Sequence, residues 1–125
     1  MKTKGEVEAE ISKAMVQFEI EHMGRGPTEA RTHIIEDMVL VRLKGVLTPA
    51  EKQLTKSPDG VELIKKVRST LIENAKPLLF QVISDITGVK AVGLHTDIST
   101  VTGERVIVFT LERDLEKSMP RKKSP

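Results

Sequence analysis

The sequence predicts an α+β fold of two layers: a four-stranded antiparallel sheet packed on a long amphipathic helix and an N-terminal helix, in the order α-ββ-α-α-ββ. Three observations predict it. The stretch Ser57 to Gly88 carries apolar residues at steps of three and four. Two stretches, Ala30 to Lys44 and Val89 to Glu112, read as paired strands around short turns. Glycine- and proline-containing segments such as Met23-Gly24-Arg25-Gly26-Pro27 and Lys56-Ser57-Pro58-Asp59-Gly60 punctuate these stretches, while Pro77 lies inside the long apolar pattern.

The first helix spans Lys4 to His22. Val7, Ile11, Ala14, Met15 and Phe18 form its apolar face; Glu6, Glu8, Glu10, Lys13, Gln17, Glu19 and Glu21 form the polar one. Acidic residues near its start and His22 near its end complement the helix dipole. Met23-Gly24-Arg25-Gly26-Pro27 stops the helix. Ala30 to Ile35 and Met38 to Lys44 form a hairpin around Glu36-Asp37. Val39, Val41 and Leu43 face one way, and Leu40, Arg42 and Lys44 the other.

Thr48-Pro49-Ala50-Glu51 is a capping box with proline at the first helical position, so a short helix runs to Thr55. Ser57-Pro58 starts the long helix in the same way, and Gly88 ends it. Its stripe is Val61, Ile64, Val67, Leu71, Ile72, Ala75, Leu78, Leu79, Val82, Ile83 and Ile86; Arg68 and Lys65 fall among the polar positions. Pro77 lies inside the pattern and removes one ladder bond, at roughly 3 kcal/mol. The stripe keeps its phase across it, so a kink is expected and not a break. At 1.5 Å per residue the helix is about 45 Å long. The second hairpin pairs Val89 to Ser99 with Arg105 to Glu112. Val106 to Phe109 is apolar on both faces, which makes that strand central or covered on both sides. Residues 1–117 form one domain, and 118–125, with Arg121, Lys122 and Lys123, form a disordered basic tail.

Composition narrows the chemistry. The chain has 125 residues and a net charge of +2, which does not mark a dedicated polyanion binder. Three Phe and no Tyr or Trp leave no aromatic platform for stacking bases, so nucleic acid is not an expected partner. No Cys means no disulfide, thiol nucleophile or zinc-thiolate site. No apolar run is long enough to span a bilayer, and no secretory signal opens the chain. A cytoplasmic protein is expected.

Three places could hold chemistry. Gly24-Arg25-Gly26, with Arg31 nearby, offers backbone amides and guanidinium groups to an anion. It is neither a Walker loop nor a dinucleotide fingerprint, and a helix stop accounts for the same residues. His95 and Asp97 alternate onto one strand face, and His33 on another strand could join them. Their spacing matches no metal motif, and a half-exposed strand face explains them equally. Thr102 and Arg105, around Gly103, could hold an anion or simply close a hairpin. No residue is assigned as catalytic or as a metal ligand, and no cofactor is expected.

Several stretches together resemble a known family: Met23-Gly24-Arg25-Gly26-Pro27; Val41-Arg42-Leu43-Lys44-Gly45-Val46-Leu47-Thr48-Pro49-Ala50-Glu51; Leu94-His95-Thr96-Asp97-Ile98-Ser99; and Thr102-Gly103-Glu104-Arg105-Val106-Ile107-Val108-Phe109. Over roughly Gly5 to Glu116 the chain is similar to the MpsC family, named as the third component of a sodium-translocating, membrane-potential-generating system. The resemblance implies a soluble accessory or regulatory subunit with a membrane-protein partner, and it names no reaction. Arg42, Lys44, His95 and Asp97 on one sheet face suit a partner or a second copy. The expectation is a non-enzymatic interaction domain, dimeric with itself. The alternative is a small anionic-ligand or nucleic-acid binder using Gly24, Arg25, Gly26, Arg31 and Arg105.

Overall fold

The computed structural model describes residues 2–120. Its elements are α1 (Lys4–Met23), β1 (Glu29–Ile35), β2 (Met38–Lys44), α2 (Pro49–Leu54), α3 (Pro58–Thr87), β3 (Ala91–Ile98), β4 (Arg105–Leu111) and α4 (Leu115–Ser118). The mixed α+β fold with one four-stranded antiparallel sheet is as the sequence predicts. The short α4 is the element it did not predict. Asp114 caps that helix by accepting from the Lys117 amide, and Leu115 anchors it in the core. Ser118 therefore ends a helix and Met119 packs on the core. The rest of the expected tail, residues 121–125, lies outside the described residues.

Local chemistry sets the helix ends. Thr3 and Glu6 form a capping box at α1, and Thr48 and Glu51 form one at α2. Gly24 closes α1 at φ 83°, a left-handed geometry that costs glycine little. His22 stacks on Phe18 with ring centroids 4.4 Å apart, which fits a role in closing the helix. Helix α3 runs for 30 residues without a break at Pro77. Pro77 and Glu73 both lie on the exposed side, where water can serve the carbonyl that the proline leaves without a donor.

The strand order is β1-β2-β4-β3, so β4 is interior as expected. One face of the sheet is buried under α1 and α3. Ile34, Val39, Val41, Leu43, Ile107, Phe109 and Leu111 meet Ile11, Met15, Ile64, Ile72, Leu79 and Ile83 there. Among the described residues no layer lies over the other face. Val106 and Val108 on that side of β4 are only half-buried, by their neighbours on β2 and β3.

The sheet edges are blunted in two ways. On β1, the Ile34 amide donates to the Glu8 carboxylate of α1 at 2.7 Å, and Thr32 shares a 2.8 Å hydrogen bond with Ser12. On β3, the register shifts between Ala91 and Gly93, leaving Val92 as a bulge. Part of the α3 stripe also stays uncovered: Val67 and Leu78 are each about half exposed, as is Leu63 outside the stripe.

Candidate functional site

Strand alternation and antiparallel register decide which side chains share the open face. Across the sheet, His33 pairs with Leu40, Leu40 with Val108, and Val108 with His95. One step along, Arg31 pairs with Arg42, Arg42 with Val106, and Val106 with Asp97. Beyond that row lie Glu29, Lys44 and Glu104. The face thus has an apolar middle of Leu40, Val106 and Val108, with charges of both signs around it.

These charges are already engaged, but at the surface. Arg31 Nε donates to Glu29 at 2.8 Å, and Lys44 Nζ lies 3.6 Å from the same carboxylate. Arg42 donates to Glu104 Oε2 through Nε and Nη2, at 2.9 and 2.8 Å. Asp97 accepts from the Ile98 amide at 2.8 Å and lies 3.5 Å from Lys65 Nζ. Asp97 remains 82 % exposed and Arg31 67 % exposed, so both are free to meet another molecule.

The other residues singled out from the sequence lie elsewhere. Gly24 is the left-handed cap of α1, and its amide donates to the Ile20 carbonyl at 3.2 Å. Arg25 donates to the Leu47 carbonyl at 3.2 Å, which ties the loop to the start of α2. Gly26 packs on Ile20, and a Cβ there would come 3.1 Å from its side chain. Thr102 sits in the β3–β4 turn: its hydroxyl accepts from the Glu104 amide at 3.3 Å, and its amide donates to Ser99 Oγ at 3.1 Å. Arg105 is not in that turn. Only 2 % exposed, it points into the core. Arg31, Arg42, His95 and Asp97 therefore share a surface, whereas the glycine loop, the turn and Arg105 do not join it.

Arg105 belongs to a cluster that the sequence reading missed. Arg68 is also 2 % exposed, and Glu19 is fully buried. Glu19 lies between them, 3.4 Å from each guanidinium. Arg68 donates to both oxygens of Glu51 at 2.7 Å and to the Val46 carbonyl at 3.0 Å. Arg105 also donates to the Arg68 carbonyl at 3.2 Å and to Thr96 Oγ1 at 3.4 Å. Among the described residues no buried side-chain nitrogen or oxygen lacks a partner. Two arginines and two glutamates balance, so the cluster ties α1, α2, α3 and β4 together without net charge.

Burial pushes the Glu19 carboxyl above the ordinary glutamate range, although Arg105 and Arg68 pull against it. Burial also raises Glu51, but the Arg68 hydrogen bond and the Thr48 amide outweigh it and hold the group low. For Arg68, burial favours losing the proton, yet Glu51 and Glu19 more than compensate. Burial lowers Arg105 further than Glu19 restores it. A guanidinium keeps its proton in any case.

Spacing held the missing signal. Ile11, Met15 and Glu19 are four apart, as are Ile64, Arg68 and Ile72, and Arg105 is in phase with Ile107, Phe109 and Leu111. Among the described residues no group of three or more His, Asp or Glu could hold a metal ion, and no helix is long and apolar enough to cross a membrane.

Comparison with known proteins agrees with the resemblance. The family described as "Na+-translocating membrane potential-generating system (MpsC)" matches residues 3–113. The Bacillus subtilis (strain 168) protein named "Uncharacterized protein YbcI" is 47% identical over 120 residues, covering 96% of this chain and 97% of its own. "Uncharacterized protein YrhF" of the same organism is 28% identical over 98 residues, covering 78% and 80%. No solved structure matches the chain.

Proposed function

The chain belongs to the MpsC family, and on that premise we propose that it is a non-catalytic accessory or regulatory domain of a sodium-translocating membrane system. It works by binding other protein surfaces, including a second copy of itself, and reaches the membrane through a membrane-protein partner from the cytoplasmic side. One observation carries this reading: among the described residues a whole face of the sheet is uncovered, with Leu40, Val106 and Val108 in its middle and charges of both signs around them. A charge-depleted apolar centre with a polar rim is the anatomy of a protein interface. Equal mixing of signs suits neither a phosphate backbone nor an anionic lipid surface, each of which selects one sign.

The reading predicts a sodium-linked phenotype. Deleting the gene in its host should lower the membrane potential in sodium medium, as read by a potential-sensitive dye. The wild-type chain should restore it. A folded Leu40→Lys, Val108→Lys variant should not, because it places cations in the middle of the face. A deletion strain with unchanged potential, or full rescue by that variant, would overturn the reading.

A further inference from the structure

We propose that the open sheet face is complementary to itself and pairs two copies of the chain about a two-fold axis parallel to the strands, running between β2 and β4. The inference rests on reading that face as an interaction surface. It adds the occupant and the register.

With the order β1-β2-β4-β3, such an axis lays β1 of one copy over β3 of the other and β2 over β4, at the same level along the strands. Each row then meets its own reverse. Arg31 at one end of its row falls over Asp97 of the second copy, and Asp97 over its Arg31. In the next row Lys44 falls over Glu104. In the middle row Leu40 falls over Val108, so two copies bring together four apolar side chains at the centre.

A two-fold axis across the strands does much worse. It reverses each strand on itself about the middle row, placing Arg31 over Ile35 and Arg42 over Met38. The parallel axis opposes Arg31 to Asp97, Lys44 to Glu104 and Leu40 to Val108; Arg42, tied to Glu104 on its own sheet, falls over Val106, and His33 falls over His95. This axis also gives the near-aligned packing that twisted sheets adopt face to face.

Two further features favour face over edge. Glu8 of α1 occupies the outer amide of Ile34, and the Val92 bulge interrupts β3, so neither edge offers a clean ladder. The size of the face sets the strength. Strands of seven or eight residues span roughly 23 by 19 Å, or about 440 Å² in projection. Stable interfaces bury about 800 Å² of accessible surface per partner. The dimer should therefore be reversible, with the charged rows governing its register and partner choice.

Symmetry supplies a specific test by native mass spectrometry and sedimentation of the full chain. Arg31→Asp alone opposes Asp to Asp twice per dimer, and Asp97→Arg alone opposes Arg to Arg twice. Each should weaken self-association by about tenfold or more. Mixing the two purified variants restores both pairs, so heterodimers should form in preference to either homodimer. The double variant Arg31→Asp, Asp97→Arg should dimerise like wild type. Asp97 also accepts from the Ile98 amide, so Lys44→Glu and Glu104→Lys provide a second pair if Asp97→Arg folds poorly.

A wild-type chain that stays monomeric at its highest soluble concentration overturns the inference, as do single variants that dimerise unchanged or mixtures without heterodimer preference. Such a result leaves the membrane-potential test standing, since a different protein could occupy the face. Conversely, a correct dimer with no sodium-linked phenotype would leave the register intact and remove the accessory role.

Discussion

Two sets of opposed charges lie on opposite sides of the same sheet. Inside, Glu19, Glu51, Arg68 and Arg105 are held together by four elements, and Glu19 is fully buried. Outside, Arg31, Arg42, Lys44, Glu29, Glu104 and Asp97 lie around an apolar strip in contact with water. The residue types match, but the solvent does not. Inside, Glu19, Arg68 and Arg105 depend on their partners because burial shields them from water, so the cluster specifies how the elements assemble. Outside, each pair can exchange its partner for water or another protein at little cost, which suits a surface meant to associate.

The largest effect should come from breaking the inner set. Arg68→Ala removes the guanidinium that contacts Glu19, Glu51 and the Val46 carbonyl at once. It leaves one glutamate buried beside Arg105 alone and another without its bidentate partner. Stability should fall by about 3–5 kcal/mol in denaturant unfolding. A loss under about 1 kcal/mol would mean that water enters the site and that the cluster is not a keystone.

That cluster also marks how far the sequence could be read. The element order up to β4, the caps at Thr48 and Ser57, the stop at Gly24 and the inward phase of Val39, Val41 and Leu43 were legible because each depends on local chemistry or period. The α4 turn was not legible, since its four residues are too few for a period and depend on Leu115 docking in the core. The open-face residues Arg42, His95 and Asp97 could be placed on one side by alternation. Their order across the sheet could not, because only the long-range β2–β4 pairing decides it. Glu19 and Arg68 were assigned to polar faces by residue type, although helical phase pointed them inward. Phase was the better guide, since a charge can follow an apolar stripe when its counter-charge is brought in from elsewhere in the fold.

A mid-sized effect should separate the two inner glutamates by pH. Both start from an ordinary value of 4.5. Glu51 is held below it, so its contribution to stability is present above pH 4.5 and is lost as pH falls through its folded value. Glu19 is raised, so its contribution is present below pH 4.5 and is lost as pH rises through its folded value. Glu51→Gln should therefore flatten the acid limb of stability against pH. Glu19→Gln should remove the loss on the higher-pH side. Denaturation midpoints measured across that range check both, and parallel profiles for the two variants would contradict the opposed shifts.

The smallest effect should come from the outer set, and it completes the comparison. Arg42 makes two contacts to one oxygen of Glu104 at 2.9 and 2.8 Å, nearly as short as the two 2.7 Å contacts of Arg68 with Glu51. Distance alone would make the two pairs nearly equal. Arg42 is 44 % exposed, however, and water can take the place of either partner. Arg42→Ala should change the unfolding free energy by no more than about 0.5 kcal/mol. Arg42→Glu should leave the fold intact while weakening self-association, because it sets an acid in place of a cation beside Arg31, where the second copy brings its Asp97. If Arg42→Ala cost as much stability as Arg68→Ala, the outer charges would be structural too, and the open face would lose its claim to be an interface.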